Sequence, residues 1–256
     1  MISLNEAQFA AWLTPLIWPF LRALALFAAL PVLGGRNVPT RVRIALAAFI
    51  ALAAQPSLAG LSDTSQVPLA SPTAVLLVAQ QLVIGLSLGF AVRLVFAAVE
   101  FAGEIIGLQM GLNFAGFFDP LSASAATATS RFFGTLVAWL FIVINGHLLV
   151  IGALVQSFAV FPVGPEPLAF LREMQPHRWG AEIFSTGLWI ALPLITLLLF
   201  VNIVLGAVSR VAPQINIFAI GFPVTLGLGL LGMLLTLPMM GQPFTMALER
   251  LLSNFR

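Results

Sequence analysis

The sequence predicts an all-α integral membrane protein built from about six long hydrophobic helices, several of them kinked or arranged as hairpins. Three observations carry this expectation. Hydrophobic residues make up 60% of the 256-residue chain and charged residues only 8%, with mean hydropathy at +1.07; soluble proteins carry about 25% charged residues. Six apolar runs approach or exceed the roughly 20 residues that a helix needs to cross a hydrocarbon core. No barrel-like alternation is present, and a helix satisfies its own backbone groups in lipid.

The first run is Phe9 to Leu33, with Pro15 and Pro19 near its start, where helices tolerate proline best, Arg22 inside it and Gly34-Gly35 behind it. With no basic residue ahead of it and no small-residue cleavage site, it is expected to be retained rather than removed as a signal peptide. Pro39 and Thr40 precede the second run, Val42 to Leu61, which Pro56 is expected to end or kink. Ser62 to Pro72 is polar and turn-rich. The third run, Thr73 to Phe101, contains Gln80, Gln81, Arg93 and Glu100. The fourth, Phe132 to Phe161, is long for one span and holds Asn145, Gly146 and His147 in its middle. Pro162 to Glu182 is the most polar connector, with a short helix expected over Leu168 to Met174. The fifth run, Ile183 to Val208, carries Pro193 and Asn202. Ser209 to Gln214 links it to the sixth, Ile217 to Met240, which Pro223, Pro238, Gly227, Gly229 and Gly232 interrupt. The tail, Gly241 to Arg256, reads as a helix lying on a surface. Alternating spans place Arg36, Arg41, Arg43, Arg131 and Arg210 on one side and Arg172, Arg178, Arg250 and Arg256 on the other, which favours an outside N-terminus.

The composition excludes several functions. Net charge is +2 and every basic residue is arginine, with no cluster longer than Arg41-Val-Arg43, so nucleic-acid binding is not expected. The absence of cysteine excludes disulfides, thiolate nucleophiles, iron–sulfur clusters and Cys-containing zinc sites. Two histidines, His147 and His177, are too few for a His-rich metal site. No nucleotide loop or catalytic spacing occurs, so neither an enzymatic activity nor a cofactor is expected. Gly85-Leu-Ser-Leu-Gly89 matches a serine-hydrolase pattern, but that motif needs a strand-to-helix elbow. In mid-helix it reads as a packing face.

One stretch stands apart. Gly103 to Pro120 holds Glu104, Gln109, Asn113 and Asp119, and the four-residue spacing of Gly103, Gly107 and Gly111 puts a bare face on one side of a helix, where another backbone can come close. If the helix runs on, Arg93, Ala97, Glu100, Glu104, Gly107 and Gly111 share a face. Charge at membrane depth is costly, so this stripe should meet partner subunits; the alternative is a proton or ion path. Asn145, His147 and Asn202 are further polar points expected to be buried or in subunit contacts. For His147 the alternative is a proton shuttle.

Ala102-Gly-Glu-Ile-Ile-Gly-Leu-Gln-Met-Gly-Leu112 with Asp119-Pro120 resembles the FliR/SctT family of type III export-gate subunits. So do Pro39-Thr-Arg-Val-Arg43, Asn145-Gly-His147, and Asn202-Ile-Val-Leu-Gly206 running through Ser209-Arg-Val-Ala-Pro-Gln214 to Gly221-Phe-Pro223. The match covers nearly the whole chain in order, and Ala212 to Phe218 is more similar to the flagellar branch than to the virulence one. The resemblance implies a non-enzymatic subunit of the flagellar export gate, placed in the bacterial inner membrane within the basal body, lining and plugging the channel used by unfolded flagellar proteins. It implies P-type and Q-type gate subunits, a B-type export subunit and the membrane as partners, with residues 1–162 P-like and 163–256 a Q-like hairpin inside one polytopic domain. In such an assembly the apolar runs are buried in protein as much as in lipid. It further implies a channel plug spanning about Ile106 to Ser122, with Gly107, Met110, Gly111, Leu112, Phe114, Phe117, Phe118 and Asp119, and a cytoplasmic-entrance link at Arg210, Pro213 and Gln214. Energy would come from the proton-motive force and a separate ATPase. The alternatives are the homologous virulence subunit, a small proton-coupled transporter using Arg93, Glu100, Glu104 and His147, and hydrolysis at Ser87.

Overall fold

The computed structural model describes residues 6–35, 38–58, 72–112, 127–163, 170, 176–214 and 217–255, with backbone alone at 6–13, 176–178 and 217–218. No strand occurs among the described residues. Helix α1 spans Glu6–Ala29 and stops short of the apolar run's end because Pro31 has no N–H to continue it. A turn follows, closed by Gly34 N–H donating to the Leu30 carbonyl at 2.6 Å. Helix α2 is Thr40–Leu58. The Pro39 carbonyl receives the Val42 amide at 3.0 Å, and the Arg43 guanidinium ties the turn down by donating to Gly35 O at 2.7 Å and Val38 O at 3.0 Å. Pro56 lies inside the last turns of α2, and the helix carries on past it to Leu58.

Helix α3 is Pro72–Gln109, 38 residues, or about 57 Å at the usual rise. It runs through Phe101, where the apolar run ends, and takes in Gly103 to Gln109 as continuous helix. Helix α4 is Ala128–Val143, capped by the Thr127 hydroxyl, which accepts the Ser130 amide at 3.1 Å. Helix α5 is Gly146–Val160. Between them Asn145 stands in the left-handed region at φ 57°, the single positive-φ residue other than glycine among those described. Asparagine is one of the few side chains that visit this region readily, so the fourth apolar run is two helices broken at Asn145. Helix α6 is Pro176–Val211, with proline at its first position. Helix α7 is Ile217–Thr236; a 3₁₀ turn at Leu237–Met240, containing Pro238, leads to α8, Gly241–Leu252, and a last 3₁₀ turn at Ser253–Phe255.

Six spans were expected. Among the described residues four segments are long and apolar enough to cross a membrane: Thr40–Leu58, Pro72–Gln109, Trp179–Val211 and Ala219–Phe255. The broken pair Ala128–Val143 and Gly146–Val160 would make a fifth, and α1, at 24 residues, has the length of a span as well. Much apolar surface stays uncovered within this chain; Phe49, Trp189 and Phe200 are each 68% exposed. Such surface requires lipid or protein against it, and the protein is membrane-embedded.

The chain forms two compact units, each assembled from separate stretches. Met1–Arg93, Asn145–Trp179 and Leu248–Arg256 make the first. Its apolar centre is Trp18, Leu77 and Phe158, with Leu21, Leu58, Val78 and Val163 packed round it. There α1 and α3 meet backbone to backbone. A Cβ added to Gly85 would collide with the Arg22 carbonyl and lie 2.8 Å from Ala25 Cβ; one added to Gly89 would lie 2.6 Å from Ala29 Cβ. The Gly-x-Ser-x-Gly string is thus the face on which α1 rests.

Leu94–Ile144 and Gly180–Ala247 make the second unit. Phe96 sits edge-on to Phe141 and Phe244, with ring centroids at 5.6 and 5.9 Å. The tail helix is amphipathic, and from Leu248 onward it belongs to the first unit. Phe244, Leu248, Leu251, Leu252 and Phe255 are all buried, while Glu249 and Arg250 face out. This is an amphipathic stripe at helical spacing, and it buries one face of α8 while the other stays exposed.

Candidate functional site

The end of α3 is where the sequence analysis places the gate segment, and its three glycines turn out to serve two purposes. Gly103 and Gly107 face α4. A Cβ on Gly103 would lie 2.9 Å from the Thr129 carbonyl and 2.8 Å from the Phe133 ring; one on Gly107 would run into the Thr129 hydroxyl. These two glycines permit a backbone-close crossing. Gly111 lies beyond the helix at φ 79°, a conformation that glycine adopts without strain, and there the chain leaves the helical path. Its amide donates back to Leu108 O at 3.1 Å.

Met110, expected as a channel occluder, is fully buried in the second unit. Its side chain covers Gly229 of α7, where an added Cβ would come within 2.5 Å of Met110 Cγ and 2.7 Å of Sδ and Cε. The Thr225 hydroxyl donates to the Met110 carbonyl at 3.4 Å. Leu112 is half-buried. Phe114, Phe117, Phe118 and Asp119 lie outside the described residues.

The charged stripe on α3 lies at the surface of this chain. Arg93 and Glu100 are exposed and Glu104 is half-buried. Ser130 Oγ on α4 donates to Glu104 Oε1 at 3.5 Å, and the Glu100 carboxylate lies over Gly134, where an added Cβ would be 2.9 Å from Oε1. Asn145 and Asn202 are exposed and His147 half-buried; Arg210, Pro213 and Gln214 are exposed at the end of α6, with Arg210 in its last turn. Arginine there complements the negative end of the helix dipole. Among the described residues no group of three or more His, Asp or Glu is placed to hold a metal ion.

The polar cluster that is buried was not singled out from the sequence. Arg22 is completely enclosed in the first unit. Its Nε donates to Gln81 Oε1 at 2.8 Å, Nη1 to Ser157 Oγ at 2.8 Å and Nη2 to the Phe161 carbonyl at 2.9 Å. The guanidinium carbon lies 3.6 Å from the centroid of the Phe158 ring. Ser157 passes its own proton to Leu154 O at 2.6 Å; Gln81 donates to Gln80 Oε1 at 3.0 Å and Gln80 to Pro162 O at 3.4 Å. The cation is held by neutral acceptors and a ring face, an arrangement that desolvation strengthens. Arg22, Gln80-Gln81 and Gln156-Ser157 are polar points inside apolar runs, and that was the available signal.

Known proteins match most of this architecture. The family model for bacterial export proteins, family 1, matches residues 13–251. Flagellar biosynthetic protein FliR of Escherichia coli (strain K12) is 45% identical over 244 residues, covering 95% of this chain and 92% of that protein. FliR of Pectobacterium carotovorum subsp. carotovorum is 41% identical, covering 93% and 90%, and FliR of Bacillus subtilis (strain 168) 26%, covering 80% and 78%. With that match running from α1 into α8, the chain belongs to family 1 of the bacterial export proteins, the family of the flagellar biosynthetic protein FliR.

Proposed function

We propose that this chain is a structural, non-enzymatic subunit of the flagellar type III protein export gate. The observation that carries the reading is the family match over residues 13–251, at 45% identity to a flagellar biosynthetic protein. Exposed apolar faces on α2, α6 and α7 agree with a chain covered by other gate subunits and by lipid. Those subunits are of the P and Q types, with a B-type export subunit at the cytoplasmic entrance near Arg210, Pro213 and Gln214. The site of action is the inner membrane of the bacterial cell, at the flagellar basal body. Residues 1–162 act as the P-like part and 163–256 as the Q-like hairpin. Residues from about Ile106 to Ser122 plug the channel, and Arg93, Glu100, Glu104, Asn145, His147 and Asn202 serve subunit contacts.

In a flagellated strain lacking its own copy of this subunit, the chain should restore secretion of flagellar proteins. A variant lacking Gly111 to Asp119 should still assemble but should let ions cross the membrane. Failure of the intact chain to restore secretion would overturn the export reading; an unchanged ion barrier in the deletion variant would overturn the plug assignment.

A further inference from the structure

The contact between the end of α3 and α7 differs in kind from the crossing of α3 and α4 beside it. At Gly103 and Gly107 a backbone carbonyl, an aromatic ring and a β-branched side chain press on bare backbone. Nothing there can give without moving a helix. Three residues further on, the fit is between a flexible, unbranched methionine and Gly229. The polar part of this second contact is also easily exchanged. The Thr225 hydroxyl has one proton and three carbonyls in reach, Gly221 O at 3.0 Å, Phe222 O at 3.1 Å and Met110 O at 3.4 Å. The interhelical acceptor is the farthest. If Met110 withdraws, the buried hydroxyl keeps a partner on its own helix and no desolvated donor is stranded. Gly111 follows at φ 79°, where the backbone can turn without side-chain strain.

We propose that Met110, Thr225 and Gly229 form a releasable latch that seats the end of α3 on α7, and that this latch parts when the gate passes its substrate. The inference rests on the export-gate reading and adds to it the place where the fixed part of α3 gives way to a part that moves. Gly107 is the last locked position and Met110 the first releasable one.

The chain has no cysteine, so an engineered pair can report on this contact alone. Met110→Cys with Gly229→Cys brings the two Cβ atoms within disulfide reach. The assay uses the full chain in cells lacking the native subunit, with disulfide formation followed by gel mobility. With the pair oxidised, secretion should fall about tenfold or more, because the lock removes the open population; reductant should restore it. Neither single-cysteine variant should respond to oxidation. An oxidised pair that secretes at the reduced rate overturns the latch. If the pair does not assemble, Gly229→Ala and Met110→Ala decide the matter. Each should raise ion leakage, and their combination should leak no more than the worse single change, since both break one contact. Wild-type ion barriers in both variants overturn the proposal. Loss of secretion with the wild-type chain in the same cells would instead count against the export reading.

Discussion

Arg22→Ala should be among the most damaging single substitutions in the first unit. The change removes three hydrogen bonds of 2.8, 2.8 and 2.9 Å and leaves Gln81 Oε1, Ser157 Oγ and the Phe161 carbonyl without their donor. Phe158 also loses the cation on its face. A buried acceptor left without a donor costs about 1–3 kcal/mol, and three are left here, in part compensated by relaxation round the smaller side chain. The expected loss is therefore about 3–5 kcal/mol, or a fall of roughly 10 °C in the thermal midpoint of the detergent-purified protein. Arg22→Lys separates charge from geometry. Three different guanidinium nitrogens reach three acceptors on α3, α5 and the residue after α5, and one ammonium cannot replace all three or lie flat on Phe158. Lysine should recover about half of the loss. Trp18 lies in the same apolar centre, so with Trp139 and Trp189 of the second unit replaced by phenylalanine, tryptophan fluorescence follows the first unit. A lysine variant with the wild-type midpoint, or an alanine variant within about 1 kcal/mol of it, would refute the network's assigned role.

The glycines give a matched pair of predictions. Gly85→Ala should destabilise by about 2 kcal/mol or more, as its Cβ meets the Arg22 carbonyl and Ala25. Gly152→Ala, on α5 with nothing within 4 Å of the added carbon, should stabilise by about 0.5–1 kcal/mol through helix propensity. Equal effects of the two in a thermal melt would contradict the packing described for α1 and α3. At Asn145, φ 57°, substitution by glycine should be neutral and by valine should cost about 1–2 kcal/mol; the reverse order would mean that the break between α4 and α5 is not held by this residue's conformation.

How much of this was legible in the sequence depended on whether a signal was local. The runs of apolar residues marked the helices, and Pro31, Pro39, Thr127 and Pro176 account for where four of them begin or end. The glycine spacing at 85 and 89 announced a close crossing but not that α1 would be the neighbour. The spacing at 103, 107 and 111 looked uniform, yet the first two glycines face α4 from within the helix and the third stands past its end at φ 79°. A repeat by four assumes one unbroken helix, and α3 ends at Gln109. The Arg22 cluster was hidden for the opposite reason. Its members are Arg22, Gln81 and Ser157, separated by 59 and 135 positions from the arginine, and no pattern within one run says which lone polar residue finds which. The stripe from Arg93 to Glu104 follows a helix face as periodicity indicated, while the contact of Glu104 with Ser130 joins positions 26 apart and has no local signal.

That separation has a consequence for how the protein is made. The arginine at position 22 emerges from the ribosome long before residue 161, the carbonyl that takes its last hydrogen bond. At about 5–20 residues per second, the 139 intervening positions delay completion of this site by roughly 7–28 s. Throughout that interval a permanent cation sits in an apolar helix without the acceptors that later enclose it. Final seating of α1 is thus a late event, coupled to the arrival of α3 and α5, and nascent chains truncated before Phe161 should hold their first helix less firmly than the full chain does.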